Sequence, residues 1–349
     1  MDILFSFLGV YFFMHIADRR LAAKGHRGEK TDHFDGKRFH SYGIKAKGPD
    51  SPKNTRKMLW RWILSRTKSK WKWRENGKPA ELSNRVEGSE LRVTFINHST
   101  FLVQTEGLNI LTDPIWSRRA SPWSAIGPKR FREPGIAFDD LPPIDIVLIS
   151  HNHYDHMDFP TLKRIHKRWN PKIYVGLGNA EHIQKKIGIK TEDMDWWDAV
   201  AVKDGVRIVC APGQHFSSRA FSDRNKTLWC GFIIETPHGS IFFAGDTGYG
   251  SFVGRINEKY SEFRLALLPI GAFRPEWFMG PVHISPGQAM RIHQELNVRT
   301  SMGMHFGTFR LADDHQDEPP QKIKEIIAAL PTPKPNFIIP EHGESYVIS

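Results

Sequence analysis

The sequence predicts a mixed α/β fold, with β-sheets carrying helices on their outer faces. Three observations point to it. Short β-type runs separated by turns begin near Leu91, helices and strands alternate after residue 156, and the continuous apolar run Ile144–Ile149 ends directly on a cluster of histidines. Leu91–Ile96, Thr100–Gln104 and Asn109–Leu111 read as a meander of three strands, and Ile144–Ile149 as a strand buried on both faces. Further strands are expected at Lys172–Val175, Val206–Val209, Trp229–Thr236, Ser240–Ala244, Leu265–Leu268, Thr300–Met304 and Asn336–Ile339. Thr236-Pro237-His238-Gly239 joins two of them as a type I turn, with Pro in the second position and Gly in the fourth. Helices are expected at Phe159–Arg168 and Ala180–Ile187. A third starts at Ser285-Pro286-Gly287-Gln288, a capping box with Pro at the first helical position, and buries Ala289, Ile292 and Leu296.

A chain of 349 residues can hold one large domain with an extension, or two domains. Its 40% hydrophobic and 12% aromatic content excludes a disordered or collagen-like chain. Cys210 and Cys230 form no CxxC pattern, which argues against a disulfide framework and against thiolate metal sites. The formal charge of +11 is unevenly placed. Residues 1–78 carry 19 Lys and Arg against 7 Asp and Glu, whereas residues 79–349 carry 30 against 31. The body is therefore nearly neutral. The positive charge speaks to where the protein sits, and no nucleic-acid partner is expected for the body.

These shifts divide the chain into a basic, Trp-rich extension at 1–85 and a body at 86–349. Residues 3–17 are mostly apolar and are followed by Asp18, Arg19 and Arg20. The run is shorter than the roughly 20 residues that span a bilayer, and its charges are ordered wrongly for a secretory signal. It is expected to anchor or dock on a membrane, with the following cations keeping the body on the cytoplasmic side. The alternative cover is the body itself, or a second copy of the chain in a homodimer. Residues 26–55 read as a linker or irregular wrap. From Lys53 to Lys78, ten Lys and Arg accompany one acid, Glu75, and interleave with Trp60, Trp62, Trp71 and Trp73. Such a segment suits an anionic lipid surface. It also suits single-stranded nucleic acid, or a solvated face whose Trp residues pack on the body.

The chemistry is concentrated in Ser150-His151-Asn152-His153-Tyr154-Asp155-His156. Three histidines and an aspartate within six residues, just after a buried strand, are too polar for a core. In a loop, His151 and His153 can point the same way and share one metal, while Asp155 and His156 reach a second. Imidazole and carboxylate without thiolate suit zinc, with iron or manganese left open by ligand type. His215, Asp246 and His305 each follow an expected strand. Singly, each reads more readily as a turn residue. Together, after the HxHxDH loop, they call for metal.

This pattern resembles the metallo-β-lactamase superfamily. The resemblance implies a four-layer αββα sandwich with the site at the sheet edges. It assigns His151, His153 and His215 to one metal, Asp155, His156 and His305 to the other, and Asp246 to both. It makes Asp113, in Leu111-Thr112-Asp113-Pro114, a supporting partner of the metal histidines. A closer resemblance covers about residues 90–349 and is to the N-acylphosphatidylethanolamine-hydrolysing phospholipase D family. It rests on Asp113–Pro122, Gly127–Phe131, Leu141–Asp145, Asp195-Trp196-Trp197, Phe242–Tyr249, Pro269–Ala272 and His342–Ser345. That family implies two Zn2+, a phospholipid substrate at a membrane, and hydrolysis to an N-acylethanolamine and phosphatidic acid. Asp155 and Asp246 would be the catalytic carboxylates, with Asp155 orienting the attacking water.

Tyr154 and His283 are candidate substrate contacts, and Trp277, Phe278 and Met279 a candidate acyl-chain lining, although each also fits a packing role. The family has Gln where this chain has Val282, so a polar contact from that position is not expected here. His342 is assigned outside the ligand set, and His26, His40, His238 and His315 to turns or the surface. The competing reading is a soluble hydrolase of lactones or thioesters on the same fold.

Overall fold

The computed structural model describes residues 16–43, 52–66 and 69–349. Most of the apolar run at 3–17, together with Lys68, therefore lies outside the described residues. Among the described residues no helix is long and apolar enough to cross a membrane.

The body is built from two seven-stranded sheets. The first contains β1 (Leu91–Asn97), β2 (Thr100–Thr105), β3 (Leu108–Thr112), β4 (Ile146–Ile149), β5 (Lys172–Gly176), β6 (Glu192–Met194) and, from the far end of the chain, β14 (Ser345–Ile348). Its order is β14-β1-β2-β3-β4-β5-β6. The second contains β7 (Ala199–Lys203), β8 (Val206–Ala211), β9 (Gly231–Glu235), β10 (Ile241–Phe243), β11 (Phe263–Pro269), β12 (Val298–Met304) and β13 (Phe337–Ile338), in the order β13-β12-β11-β10-β9-β8-β7. Both sheets share one plan. An antiparallel meander gives way to parallel strands, at β3–β4 in the first and at β10–β11 in the second.

The sheets pack face to face through Phe95, Phe101, Phe232, Phe243, Leu265 and Leu267, all fully buried. Each such side chain contributes about 1.5–3 kcal/mol when removed from water. The parallel strands are buried on both faces and read as apolar runs, IVLI in β4 and FRLALLP in β11.

Helices cover the outsides. α1 (Pro52–Ser65) precedes the body, and α2 (Phe159–Trp169) and α3 (Asn179–Ile187) follow in chain order. Leu162, Ile165 and Ile183 of these two pack on Val147, Ile149, Ile173 and Val175 of the first sheet. Beyond them come α4 (Phe252–Asn257), α5 (Glu276–Met279), α6 (Pro286–Glu295) and α7 (Glu318–Ala329). α6 covers the second sheet through Ala289 and Ile292 and has the expected capping box between Ser285 and Gln288. The result is the αββα sandwich.

The structure adds β6, β7, β14, α1, α4 and α7 to the elements expected from sequence. Trp277, Phe278 and Met279 lie in the short helix α5. The wrap at 22–43 is irregular but anchored. Phe34 and Phe39 enter the inter-sheet core, and buried His33 lies 2.7 Å from Asp195 Oδ1 and 2.6 Å from Asp32 Oδ1. The basic segment divides in two. Trp62 and Trp71 donate to Asp313 Oδ2 and the Asp314 carbonyl, while Trp60 and Trp73 stay exposed at 63% and 49%.

Candidate metal centre

Every side chain of the centre leaves the C-terminal end of a strand or the loop after it. β4 delivers His151–His156, β8 leads to His215, β10 to Asp246, β12 to His305, β3 to Asp113 and β1 to His98. The turns that make this possible are tight. His98, Asp113 and His305 have φ of 48°, 33° and 61°, left-handed conformations that cost an L-residue energy and cluster at functional sites. Gly245, with φ +60°, precedes Asp246 where a Cβ would lie 2.7 Å from Ser150 Cβ and 2.9 Å from the Cys230 carbonyl. Only glycine fits there. Gly271 lets the His305 carbonyl approach to where a Cβ would be 2.1 Å away.

Two groups of side chains meet at Asp246. In one, His151 Nε2 lies 2.7 Å from His153 Nδ1, and His215 Nε2 lies 3.3 Å from that same atom. In the other, Asp155 Oδ2 lies 3.2 Å from His156 Nε2 and 3.4 Å from His305 Nε2. Asp246 Oδ2 sits between them, 3.1 Å from His156 Nε2, 3.0 Å from His305 Nε2 and 3.9 Å from His215 Nε2. All seven residues expected from the sequence thus converge.

Their far sides are held. Asp113 Oδ2 accepts from His156 Nδ1 at 2.6 Å and from Ser150 Oγ at 2.6 Å, while its Oδ1 accepts from Ser150 N at 2.7 Å. His215 Nδ1 donates to the Val282 carbonyl at 2.8 Å. The backbone, not the side chain, of residue 282 is therefore the functional group there.

His98 was not among the expected residues, yet its Nε2 lies 2.9 Å from Asp155 Oδ2. The signal was available, since His98 follows a strand just as the other site residues do. A single histidine in Asn97-His98-Ser99 carries no spacing clue. His305 N donates to the His98 carbonyl at 2.7 Å, which ties the two left-handed turns together. Thr308 Oγ1 accepts from His98 N at 2.9 Å and meets His342 Nε2 at 2.9 Å. His342 accordingly stands outside the cluster, behind the turn. His283 Nδ1 lies 3.9 Å from Asp246 Oδ2. The Tyr154 hydroxyl donates to the Arg219 carbonyl at 2.8 Å, and the Arg219 guanidinium lies 3.9 Å above its ring.

The centre is buried, with its opening beside His153 and Tyr154, which are half-buried. Burial pushes His151 well below the ordinary imidazole pKa and takes His153, His215, His98 and His283 down to about 3. Their ring nitrogens thus keep free lone pairs at neutral pH. Burial also opposes charge on His156 and His305, but Asp246 and Asp155 outweigh it. They hold His156 well above its ordinary value and His305 at about 9. Burial disfavours the carboxylate forms of Asp155 and Asp246 in turn, but His156 and His305 keep both well below the usual range.

This set fits a metal centre. His156 Nε2, His305 Nε2, Asp246 Oδ1 and His283 Nδ1 are buried with no hydrogen-bond partner, which is costly unless a cation binds there and displaces the protons that Asp246 and Asp155 favour on His156 and His305. His98–Asp155–His156–His305 and His151–His153–His215 each bring ligand atoms within 4.8 Å of one another. Neutral imidazoles and anionic carboxylates without thiolate form a donor set for zinc, iron or manganese.

Residues 108–306 match the family model described as Beta-lactamase superfamily domain. The chain is 37% identical over 275 residues to N-acyl-phosphatidylethanolamine-hydrolyzing phospholipase D 1 of Caenorhabditis elegans, a match spanning 75% of this chain and 77% of that protein. It is 35% identical over 269 residues to the mitochondrial N-acyl-phosphatidylethanolamine-hydrolyzing phospholipase D of Saccharomyces cerevisiae, spanning 74% of this chain and 57% of that one. Among solved structures, the metallo hydrolase Igni18 of the archaeon Ignicoccus hospitalis superposes with a TM-score of 0.56 at 24% identity, over 74% of this chain and 99% of its own. That likeness bears on the fold alone.

Proposed function

The chain belongs to the N-acylphosphatidylethanolamine-hydrolysing phospholipase D family of the β-lactamase superfamily, a family of metal-dependent hydrolases, and on that premise we propose that it is a dinuclear zinc phosphodiesterase cleaving N-acylphosphatidylethanolamine. The observation that carries the proposal is the position of Asp246 Oδ2 between His156 and His305 on one side and His215 on the other.

His151, His153 and His215 would hold one ion, Asp155, His156 and His305 the other, and Asp246 both. When bound, such ions supply Lewis-acid stabilisation of phosphoryl oxygens and a water of lowered pKa. In the reaction, the water oxygen bonds to phosphorus, the bond to the ethanolamine oxygen breaks, and that oxygen leaves with a proton. The side chain of Asp155 is 12% exposed, against 2% for Asp246. Asp155 is thus the carboxylate nearer the opening, and it takes the proton of the attacking water. His98, hydrogen-bonded to Asp155 Oδ2, fixes which oxygen faces the reaction. His283 lies beside Asp246 with Nδ1 free of a hydrogen bond and is the group available to the phosphate or the leaving oxygen. Tyr154 shapes the opening with its ring, since its hydroxyl is engaged by Arg219.

The substrate is a bilayer lipid, and the extension at 1–85 supports membrane association. α1 presents Trp60, Ile63 and Leu64 at 63%, 47% and 83% exposure beside Arg61 and Lys57. The reaction is tested by mass spectrometry of products formed from N-acylphosphatidylethanolamine in mixed micelles made up in 18O-water. The expected products are unlabelled N-acylethanolamine and phosphatidic acid carrying the label. Label in the N-acylethanolamine, or no turnover by metal-replete protein, would sink the proposal. Cleavage of lactones or thioesters in place of the lipid would leave the soluble-hydrolase reading standing.

A further inference from the structure

Beside the metal loop stands a finger that the proposed reaction does not use. Residues 118–130 fold back on themselves. Arg119 and Lys129 pair as an antiparallel bridge, Ala120 N donates to the Pro128 carbonyl at 3.0 Å, and Arg130 N donates to the Arg118 carbonyl at 3.0 Å. The tip turns outward two large apolar side chains, Trp123 at 47% and Ile126 at 68% exposure. Leaving such groups in water costs the folded protein a burial gain that a lipid phase would return.

The base of the finger is cationic. A cavity of about 320 Å³ is lined by Arg119, Gly127, Pro128, Lys129, Phe131 and Arg310, with no carboxylate among them. Arg119, Lys129 and Arg310 have no ion-pair partner among the described residues. Arg119 is held by the Ser124 and Gly127 carbonyls at 3.1 and 2.6 Å, and Arg310 by the Ser69 carbonyl at 2.8 Å. No acid occurs between Arg118 and Arg132. Three cations beneath an apolar tip, two of them arginines held by backbone carbonyls, complement an interface whose outer layer is phosphate and whose inner layer is hydrocarbon. The finger also borders the opening of the metal centre, because Ala120 packs in one small cluster with Tyr154, Leu311 and Phe309.

We propose that this finger docks on an anionic phospholipid bilayer, with Trp123 and Ile126 entering the acyl boundary and the Arg119–Lys129–Arg310 cavity taking a lipid phosphate. The proposal deepens the lipid reading of the active centre and rests on it for its biological sense. Its test is independent of catalysis, because the vesicles contain no N-acylphosphatidylethanolamine.

Full-length protein is floated with vesicles of phosphatidylcholine alone and with vesicles of equimolar phosphatidylcholine and phosphatidylglycerol, at two salt concentrations. Wild type is expected on the anionic vesicles, less so at high salt. K129E should weaken binding by about fivefold or more, at about 1 kcal/mol per cation near the surface. W123S/I126S should weaken it by about tenfold or more. Both variants should keep the wild-type melting temperature and metal content, so that lost binding is not lost folding. Equal binding by wild type and both variants would overturn the proposal and assign docking to the extension instead. No binding of wild type to anionic vesicles, or retention of a single-stranded oligonucleotide in place of vesicles, would also overturn it. If the finger docks but N-acylphosphatidylethanolamine is not hydrolysed, the substrate reading falls and the docking surface stands.

Discussion

Asp113→Asn isolates the mechanism that prepares His156 for a metal. Asp113 is fully buried and accepts three short hydrogen bonds, one from His156 Nδ1 and two from Ser150. Because Nδ1 donates to a carboxylate, Nε2 is the nitrogen that faces Asp246 and Asp155 and offers its lone pair once a cation displaces its proton. Asparagine preserves the volume and the carbonyl that accepts from Ser150 N. Its amide group, however, donates where Oδ2 accepted. Ser150 can rotate its hydroxyl, but His156 must shift its proton to Nε2 to accept at Nδ1. That tautomer points a hydrogen into the centre. Loss of such a supporting partner typically weakens metal binding about 10–100-fold, or about 1.4–2.7 kcal/mol. The assay is competitive chelator titration, with metal content by mass spectrometry and circular dichroism as a check on folding. The variant should lose the metal of the Asp155–His156–His305 group first, lower hydrolysis in proportion, and keep its secondary structure. Wild-type affinity and turnover would refute the tautomer argument.

Other residues carry sharper or simpler tests. His98→Phe keeps the ring that packs edge-on against Phe309 but removes the bond to Asp155, so kcat should fall about tenfold with metal content unchanged; unaltered kcat would remove His98 from the mechanism. Gly245→Ala places a Cβ 2.7 Å from Ser150 Cβ at φ +60°, and should cost about 2 kcal/mol or more in urea unfolding. His33 is buried, which disfavours its charged form, yet Asp195 and Asp32 raise its pKa above the ordinary imidazole value of about 6.5. The stabilisation is therefore complete below pH 6.5 and is lost as pH rises through the raised value. His33→Phe, which keeps the stacking on Trp196, should destabilise by about 1–2 kcal/mol at pH 6 and by less at pH 9; a pH-independent difference would contradict the ion pair.

Much of the fold could be read where burial is two-sided. β4 and β11 are continuous apolar runs because both faces are covered, and the start of α6 is written in Ser285, Pro286 and Gln288. Elements escaped notice where that signal fades. β7 alternates between half-buried and exposed positions with small residues, β14 is a short edge strand closing the first sheet from the C-terminus, and α7 opens on Pro319 and Pro320, which resemble a break rather than a first turn. The metal nest was legible because its residues crowd one loop or follow apolar strands. Neither the meeting of His98 with Asp155, 57 positions away, nor that of Arg219 with the Tyr154 hydroxyl could be read from the chain, because the first depends on how β1 and β4 are ordered within one sheet and the second on how the two sheets face each other.

The measurement closest to the centre of the account is hydrolysis of N-acylphosphatidylethanolamine with parallel metal analysis, comparing wild type with Asp246→Asn. Asp246 Oδ2 stands between the two imidazole groups, so its loss should uncouple both. Wild type should carry two ions per chain and release N-acylethanolamine, while the variant should hold less metal and lose at least about a hundredfold in turnover. An Asp246→Asn protein with full metal and wild-type turnover, or a wild type that hydrolyses the lipid without metal, would contradict it.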